Sequence, residues 1–412
     1  MRKIGMILVV VAVVMAGFFL HALYRIKVSL NASTIPYQQS VQFPVYPSTT
    51  MVGRTKLEQE KIKQGEYLVK VGDCISCHTN ALENGPPFAG NLAITTPFGI
   101  IYSPNLTPDR TTGLGGWSDA DFIKAMRKGI SPDGHYYYPA FPFFYFNRIK
   151  TEDLLAIKAY LNALSPIYQK KKQNHMIWPF EHRLLQWGWR LLFFRNEGNP
   201  ISEGNKSPEW SRGAYLVNGL GHCGMCHTPS YYLLDRNIIL GAPIQNYYLS
   251  GASVEGYLAP NITQSALSGI SNEDLMKTFT DSQMLGVGAL HGPMLETVHN
   301  SLSYLSTQDL MAVVTYLKSV HSESSSLPIF KGSSLGETIY KQHCAICHNV
   351  GAGGSPIVGD VAHWKPLLMS GIENLYQLAF SGAGAMPPKG GCEFCSQEDI
   401  EAAVDYMILK SR

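Results

Sequence analysis

Three times along these 412 residues, two cysteines separated by two residues are followed at once by histidine. The segments are Cys74-Ile75-Ser76-Cys77-His78, Cys223-Gly224-Met225-Cys226-His227 and Cys344-Ala345-Ile346-Cys347-His348. Composition alone gives roughly 0.005 chance matches in a chain with eight cysteines and 13 histidines. At this spacing two thiols form thioethers to porphyrin vinyl groups, and the adjacent histidine becomes the proximal iron ligand, which is the attachment pattern of c-type haem. Zinc is the chemical rival, because Cys-x-x-Cys pairs also build zinc ribbons. It is disfavoured because the pairs sit in separate repeats and three of the four carry an immediate histidine. The chain is therefore expected to hold three covalently bound haem c groups. Cys74, Cys77, Cys223, Cys226, Cys344 and Cys347 attach them, and His78, His227 and His348 ligate the iron.

The motifs lie in a repeated frame. Gly65-Glu66-Tyr67-Leu68-Val69 precedes the first and Gly213-Ala214-Tyr215-Leu216-Val217 the second. Pro104-Asn105-Leu106-Thr107 is answered by Pro260-Asn261-Ile262-Thr263, and Asp153-Leu154 with Tyr160-Leu161 by Asp309-Leu310 with Tyr316-Leu317. A third, shorter unit opens near Leu335 and closes with a helix-patterned stretch from Glu398 to Leu409, in which Ile400, Val404 and Met407 share a face. Each unit reads as an opening helix, a cysteine-histidine loop, a Gly/Pro-rich middle and a closing helix begun by acidic residues, which suit the helix dipole. Ser322 to Pro328 reads as a polar linker. Between the first two units, Trp178, Phe180, Leu184, Leu185, Trp187, Trp189 and Leu191 to Phe194 are too apolar for a solvated linker. This connector is expected either to pack as a helix between domains or to dock on a partner or a membrane interface.

A six-coordinate electron carrier needs a distal ligand, and methionine opposite histidine raises the reduction potential. Met294, after Gly292-Pro293, and Met386, before Pro387-Pro388, are expected to fill that role in the second and third units. The first unit breaks the pattern: it reads Tyr138-Pro139-Ala140-Phe141-Pro142, and phenylalanine cannot ligate iron. Met126 and His135 are the nearest donors there, and a five-coordinate iron is the alternative. The fourth pair, Cys392 and Cys395, lacks a histidine and is expected to form a small-loop disulfide in an oxidising compartment.

An apolar run from Ile4 to Leu20 follows Arg2 and Lys3 and continues loosely to Tyr24, and about 20 helical residues span a bilayer core. No small-x-small cleavage site follows, so the run is read as a retained anchor rather than a cleaved export signal. The flanking positive charges place the rest of the chain outside the cytoplasm. A formal net charge of +2 argues against a nucleic-acid partner. No dinucleotide fingerprint or nucleophile motif rises above stray matches.

Pro208-Glu209-Trp210-Ser211-Arg212-Gly213 through His227-Thr228-Pro229, with Tyr102-Ser103-Pro104-Asn105-Leu106-Thr107-Pro108, resembles the multihaem cytochrome c subunits of membrane-bound alcohol, aldehyde, gluconate and fructose dehydrogenases. The resemblance covers approximately residues 55–320. Gly384-Ala385-Met386-Pro387-Pro388 through Cys395 resembles a cytochrome of the c-five type, which carries such a cysteine pair beside its methionine ligand. The implied fold is mainly α: three tandem class I cytochrome c domains after one N-terminal transmembrane helix. The boundaries are an anchor over 1–27, domains over 55–168, 207–321 and 330–412, and a connector over 169–206. The resemblance implies a single-pass protein of the bacterial inner membrane facing the periplasm. It would relay electrons from a dehydrogenase catalytic subunit to ubiquinone or a downstream cytochrome or oxidase, with no substrate chemistry of its own. The alternatives are a subunit feeding a terminal oxidase, or small-ligand or peroxide chemistry at the first haem.

Overall fold

The structure is a computed structural model that describes residues 43–195, 206–233, 238–254, 257–284, 288–290, 292–321, 335–369, 372–392 and 395–411, together with residues 17, 21 and 24. The expected anchor over 1–27, those three positions apart, and the linker from Ser322 to Pro328 lie outside the described residues. No helix among the described residues is long and apolar enough to cross a membrane. The fold is mainly helical and divides into two units, Met1–Pro200 and Ile201–Arg412.

In the first unit, α1 (Lys56–Val71) starts at Thr55, whose hydroxyl accepts from the Glu58 amide while the Glu58 carboxylate accepts from the Thr55 amide. This capping box satisfies two amides that the first turn would leave unpaired. Ile62, Leu68 and Val69 recur at helical spacing and are buried. Strands β1 (Ala93–Thr96) and β2 (Gly99–Tyr102) then form an antiparallel hairpin. Next come α2 (Asp119–Lys128), the single turn α3 (Phe143–Phe146) and α4 (Thr151–Leu161). Strand β3 (His175–Met176) pairs with β2, and α5 (Leu184–Phe193) ends the described part of the unit.

The second unit repeats this plan. It runs from α6 (Pro208–Asn218) through the hairpins β4–β5 (Ser230–Leu233, Ile238–Pro243) and β6–β7 (Ala252–Val254, Tyr257–Ala259) to α7 (Asn272–Asp281). A short hairpin, β8–β9 (Gln283–Met284, Gly288–Ala289), leads into α8 (Gly292–Asn300) and α9 (Thr307–Leu317). A second helix pair follows, with α10 (Leu335–Ile339), α11 (Ile372–Ser381) and α12 (Gln397–Lys410).

One contact recurs in all three helix pairs. A Cβ added at Gly65 would lie 1.9 Å from the Ala156 carbonyl oxygen, one at Gly213 1.9 Å from that of Ala312, and one at Gly336 1.8 Å from that of Ala402. Only glycine allows backbones so close, so the glycine of each opening helix marks where the closing helix crosses it. A tyrosine lies one turn beyond each alanine (Tyr160, Tyr316, Tyr406), and in the first two pairs its Cβ closes on the crossing, 3.0 and 2.8 Å from the added Cβ. In the first two pairs the residue before the glycine also bonds the closing helix. Gln64 donates to Asp153 Oδ1 at 2.8 Å, and Arg212 grips Asp309 through two bonds of 2.8 and 2.7 Å.

Among the described residues, the aromatic connector packs by one face. Gln186 is buried, the Trp189 ring lies 6.0 Å from Phe143 and 5.9 Å from Phe144, and the Arg190 guanidinium sits over Phe143. Leu184, Trp187, Leu191 and Leu192, on the opposite face of α5, stay exposed.

Candidate haem sites

Each Cys-x-x-Cys-His segment folds as one helical turn: Cys74–His78, Gly224–His227 and Ala345–His348. Residues three apart share a helix face, so the two thiols of a pair point the same way. In the first segment Asp73 precedes the turn in the left-handed region (φ 49°) and accepts from the Ser76 hydroxyl at 2.5 Å, which starts the turn sharply. In the third, a π-helical turn over Tyr340–Cys344 delivers Cys344 to the segment.

The three histidines are oriented alike. Nδ1 of His78 lies 2.9 Å from the Pro104 carbonyl oxygen, that of His227 2.7 Å from Pro260, and that of His348 2.9 Å from Pro356. A carbonyl only accepts, so Nδ1 donates and the lone pair is left on Nε2, the arrangement a ligating histidine requires. Burial keeps the rings neutral. It pushes His78 down to about 4, and it lowers His227 and His348 against the opposing effect of their proline carbonyls.

Two of the acceptor prolines, Pro104 and Pro260, belong to the Pro-Asn-Leu/Ile-Thr repeats, whose role the sequence does not declare. Asn105 Oδ1 accepts from the Thr107 amide and hydroxyl at 2.9 and 2.8 Å, and Asn261 Oδ1 from those of Thr263 at 2.8 and 2.7 Å. The asparagine thus locks a turn that holds the preceding carbonyl toward the histidine. In the third site Ser355 does related work, its hydroxyl donating to the Cys347 carbonyl at 2.8 Å. The signal in sequence was repetition alone, since a backbone carbonyl has no residue type of its own.

The donor set decides between zinc and haem. Among the described residues, the only place where three or more Cys, His, Asp or Glu ligand atoms converge is His343 with Cys392 and Cys395. Those two cysteines are joined in a disulfide with Cα atoms 5.4 Å apart. No four-ligand thiolate cage forms among the described residues from the six cysteines outside the disulfide. Burial raises Cys74, Cys223 and Cys344 to about 12. Two thiols on one turn, with a neutral imidazole beside them, fit covalent haem.

The distal candidates divide. Met294 is half-buried near the start of α8, two residues after the left-handed Gly292 (φ 59°). Met386 is half-buried against the third core, in a turn closed by 3.0 Å bonds in both directions between its backbone and that of Ala383. Met126 is buried on α2 beside Phe122 and Ala125. His135 is exposed, and its Nδ1 lies 2.7 Å from Asp133 Oδ2 in a surface turn. The disulfide is buried, Lys389 Nζ donates to the Cys395 carbonyl at 2.9 Å, and Gly390 runs beside the Cys344 thiol. His343, which sequence reasoning passed over, is pushed down to about 4 by burial.

Known proteins are similar to this chain over most of its length. The gluconate 2-dehydrogenase cytochrome c subunit of Pantoea cypripedii is 35% identical over 323 residues, 74% of this chain and 73% of that protein. The cytochrome c subunit of the quinone alcohol dehydrogenase of Gluconacetobacter polyoxogenes is 31% identical over 381 residues, 88% of this chain and 79% of that one. This chain is a dehydrogenase cytochrome c subunit by family. The cytochrome subunit carries a further likeness at its C-terminal end. Residues 334–407 match the family model for cytochrome c oxidase, cbb3-type, subunit III. Cytochrome c5 of Ectopseudomonas mendocina is 37% identical over 78 residues, 18% of this chain and 90% of that protein. Haem c is therefore the cofactor of the cytochrome subunit, and electron transfer is its work.

Proposed function

We propose that this chain is a triheme relay of three cytochrome c domains, over residues 55–168, 207–321 and 330–412. Ile4 to Leu20 would anchor it in the bacterial inner membrane, with the domains in the periplasm. It takes electrons singly from a dehydrogenase catalytic subunit and passes them to ubiquinone or a downstream cytochrome or oxidase. The observation that carries this reading is the histidine–proline carbonyl bond made at each of the three Cys-x-x-Cys-His turns. Cys74, Cys77, Cys223, Cys226, Cys344 and Cys347 hold the porphyrins, and His78, His227 and His348 present neutral Nε2 atoms to the iron. Met294 and Met386 would supply a sulfur ligand to the haem in the second and third sites. Bound haem iron supplies reversible one-electron exchange; the chain around it excludes water and fixes the ligands that set the potential.

The test is the mass of denatured, acid-extracted chain, expected to exceed that of the bare polypeptide by three haems. It is paired with capture of the full-length protein from native membranes, expected to bring down a dehydrogenase catalytic subunit whose substrate reduces the attached haems. An unmodified mass would end the haem reading, and capture without a dehydrogenase would end the partner assignment. A second reading, a subunit that feeds a terminal oxidase, is favoured by the match of residues 334–407 to a cbb3-type oxidase subunit. Capture with a copper-haem oxidase in place of a dehydrogenase would select it.

A further inference from the structure

The first two repeats can be laid on each other by hydrogen bonds rather than by sequence. Helix α2 ends at Gly129 (φ 57°) and α7 at Ser282 (φ 54°), both left-handed. In the first repeat the Tyr137 amide donates back to the Gly129 carbonyl at 2.8 Å, and in the second the Leu290 amide donates to the Ser282 carbonyl at 2.8 Å. A short antiparallel pairing lies inside each loop, Ile130 with Tyr136 and β8 with β9. Counting on from these matched bonds, Phe141 falls on the station of Met294, each four residues past the donating amide. Its ring is fixed edge-to-face against Tyr137 at 5.7 Å and Phe146 at 5.5 Å, and offers no lone pair.

Neither of the two other candidate donors takes that station. Met126 matches Phe279 of α7, so its position is one that the second repeat fills with another apolar side chain. His135 is tied to Asp133 on the surface, and its amide donates to the Ser131 hydroxyl at 2.9 Å. We infer that the first haem site has no protein ligand opposite His78 and that this open position, roofed by Phe141, takes a neutral diatomic ligand of the carbon monoxide or nitric oxide class. The inference rests on the haem reading above. An uncharged ligand suits an apolar roof because it carries no charge that must be desolvated. Distal access and polarity decide whether a haem site binds gas or only exchanges electrons.

The experiment titrates the reduced full-length protein with carbon monoxide and follows the haem absorption bands, with the haem count taken from the extracted chain. A single carbon monoxide per chain is expected, with a high-spin component in the ligand-free protein. Phe141→Leu should keep that stoichiometry. Phe141→Met should abolish uptake and add a methionine sulfur-to-iron charge-transfer band. Met126→Leu and His135→Ala should each leave uptake at one. Three attached haems with no uptake by the wild-type protein would overturn the inference while leaving the relay intact. Uptake that appears only in Met126→Leu or His135→Ala would overturn it by naming the hidden ligand. Absence of haem mass would remove the reading beneath it. Should Phe141→Met fail to fold, the wild-type stoichiometry and the Met126 and His135 variants still decide.

Discussion

The repeats that open at Cys74 and Cys223 agree in backbone and part company in side chains. Both cross their first and last helices at a glycine, both turn histidine Nδ1 onto a proline carbonyl, and both end the helix before the distal loop in the left-handed region. They differ at the helix crossing, where an uncharged Gln64 amide bonds Asp153 and an Arg212–Asp309 ion pair stands in its place. They differ again at the distal station, where phenylalanine stands against methionine. The backbone frame is held by hydrogen bonds that do not involve the distal side chain. One substitution can therefore change what a site binds without changing how it folds.

The largest effect should come from attacking what the repeats share. Gly213→Val forces a side chain into the Ala312 carbonyl, and overpacking of this kind costs on the order of 3 kcal/mol. A loss below about 1 kcal/mol in denaturant unfolding of the haem-loaded protein would show that the helices separate easily. Gly65→Val should behave alike, since its clash distance is the same. Converting the second repeat to the first is the next test. Met294→Ala should keep all haem attached and add a second carbon monoxide site, whereas unchanged uptake would mean that another group ligates. Met386→Ala should likewise keep its haem but lower its reduction potential, and an unmoved potential would point to a different sulfur.

The polar links should separate the repeats by less. Asp309→Ala leaves Arg212, itself about a third exposed, without its partner, at a cost of about 2 kcal/mol. Asp153→Ala removes a neutral donor's acceptor, at about 1 kcal/mol. Equal shifts in the unfolding midpoint would erase the distinction. The smallest effect is acid-linked. The Ser118 hydroxyl and amide hold the exposed Asp121 carboxyl below its usual 3.8. Because the folded value is depressed, the stability it lends is complete above 3.8 and is lost as the pH falls through the folded value. Ser118→Ala should flatten the pH dependence of unfolding below that point, and an unaltered slope would assign the acid sensitivity elsewhere.

Much of this was legible in the sequence because it is written in residue types. The cysteine-histidine turns, the acidic first turns of the closing helices, and the buried face of Ile400, Val404 and Met407 all follow from spacing. The proline carbonyls could not be read, since Pro104 and Pro260 lie 26 and 33 residues from their histidines and act through main-chain atoms. The hairpins within the Gly/Pro-rich middles were hidden for a related reason: strands of two to six residues are too short to show an alternating pattern. The connector's aromatic density left two readings open; in the structure one face of α5 packs against α3 and the other is exposed.

The crossing glycines also bear on how quickly such a chain reaches its final form. Helical proteins usually fold fast because their contacts are local. Here the closest backbone approach in each repeat ties its beginning to its end: 65 to 156, 213 to 312, 336 to 402. Loop closure must come first, so these helices should assemble at the slower pace of distant pairings. The shorter third loop has the advantage over the second, by about 0.4 kcal/mol of closure entropy.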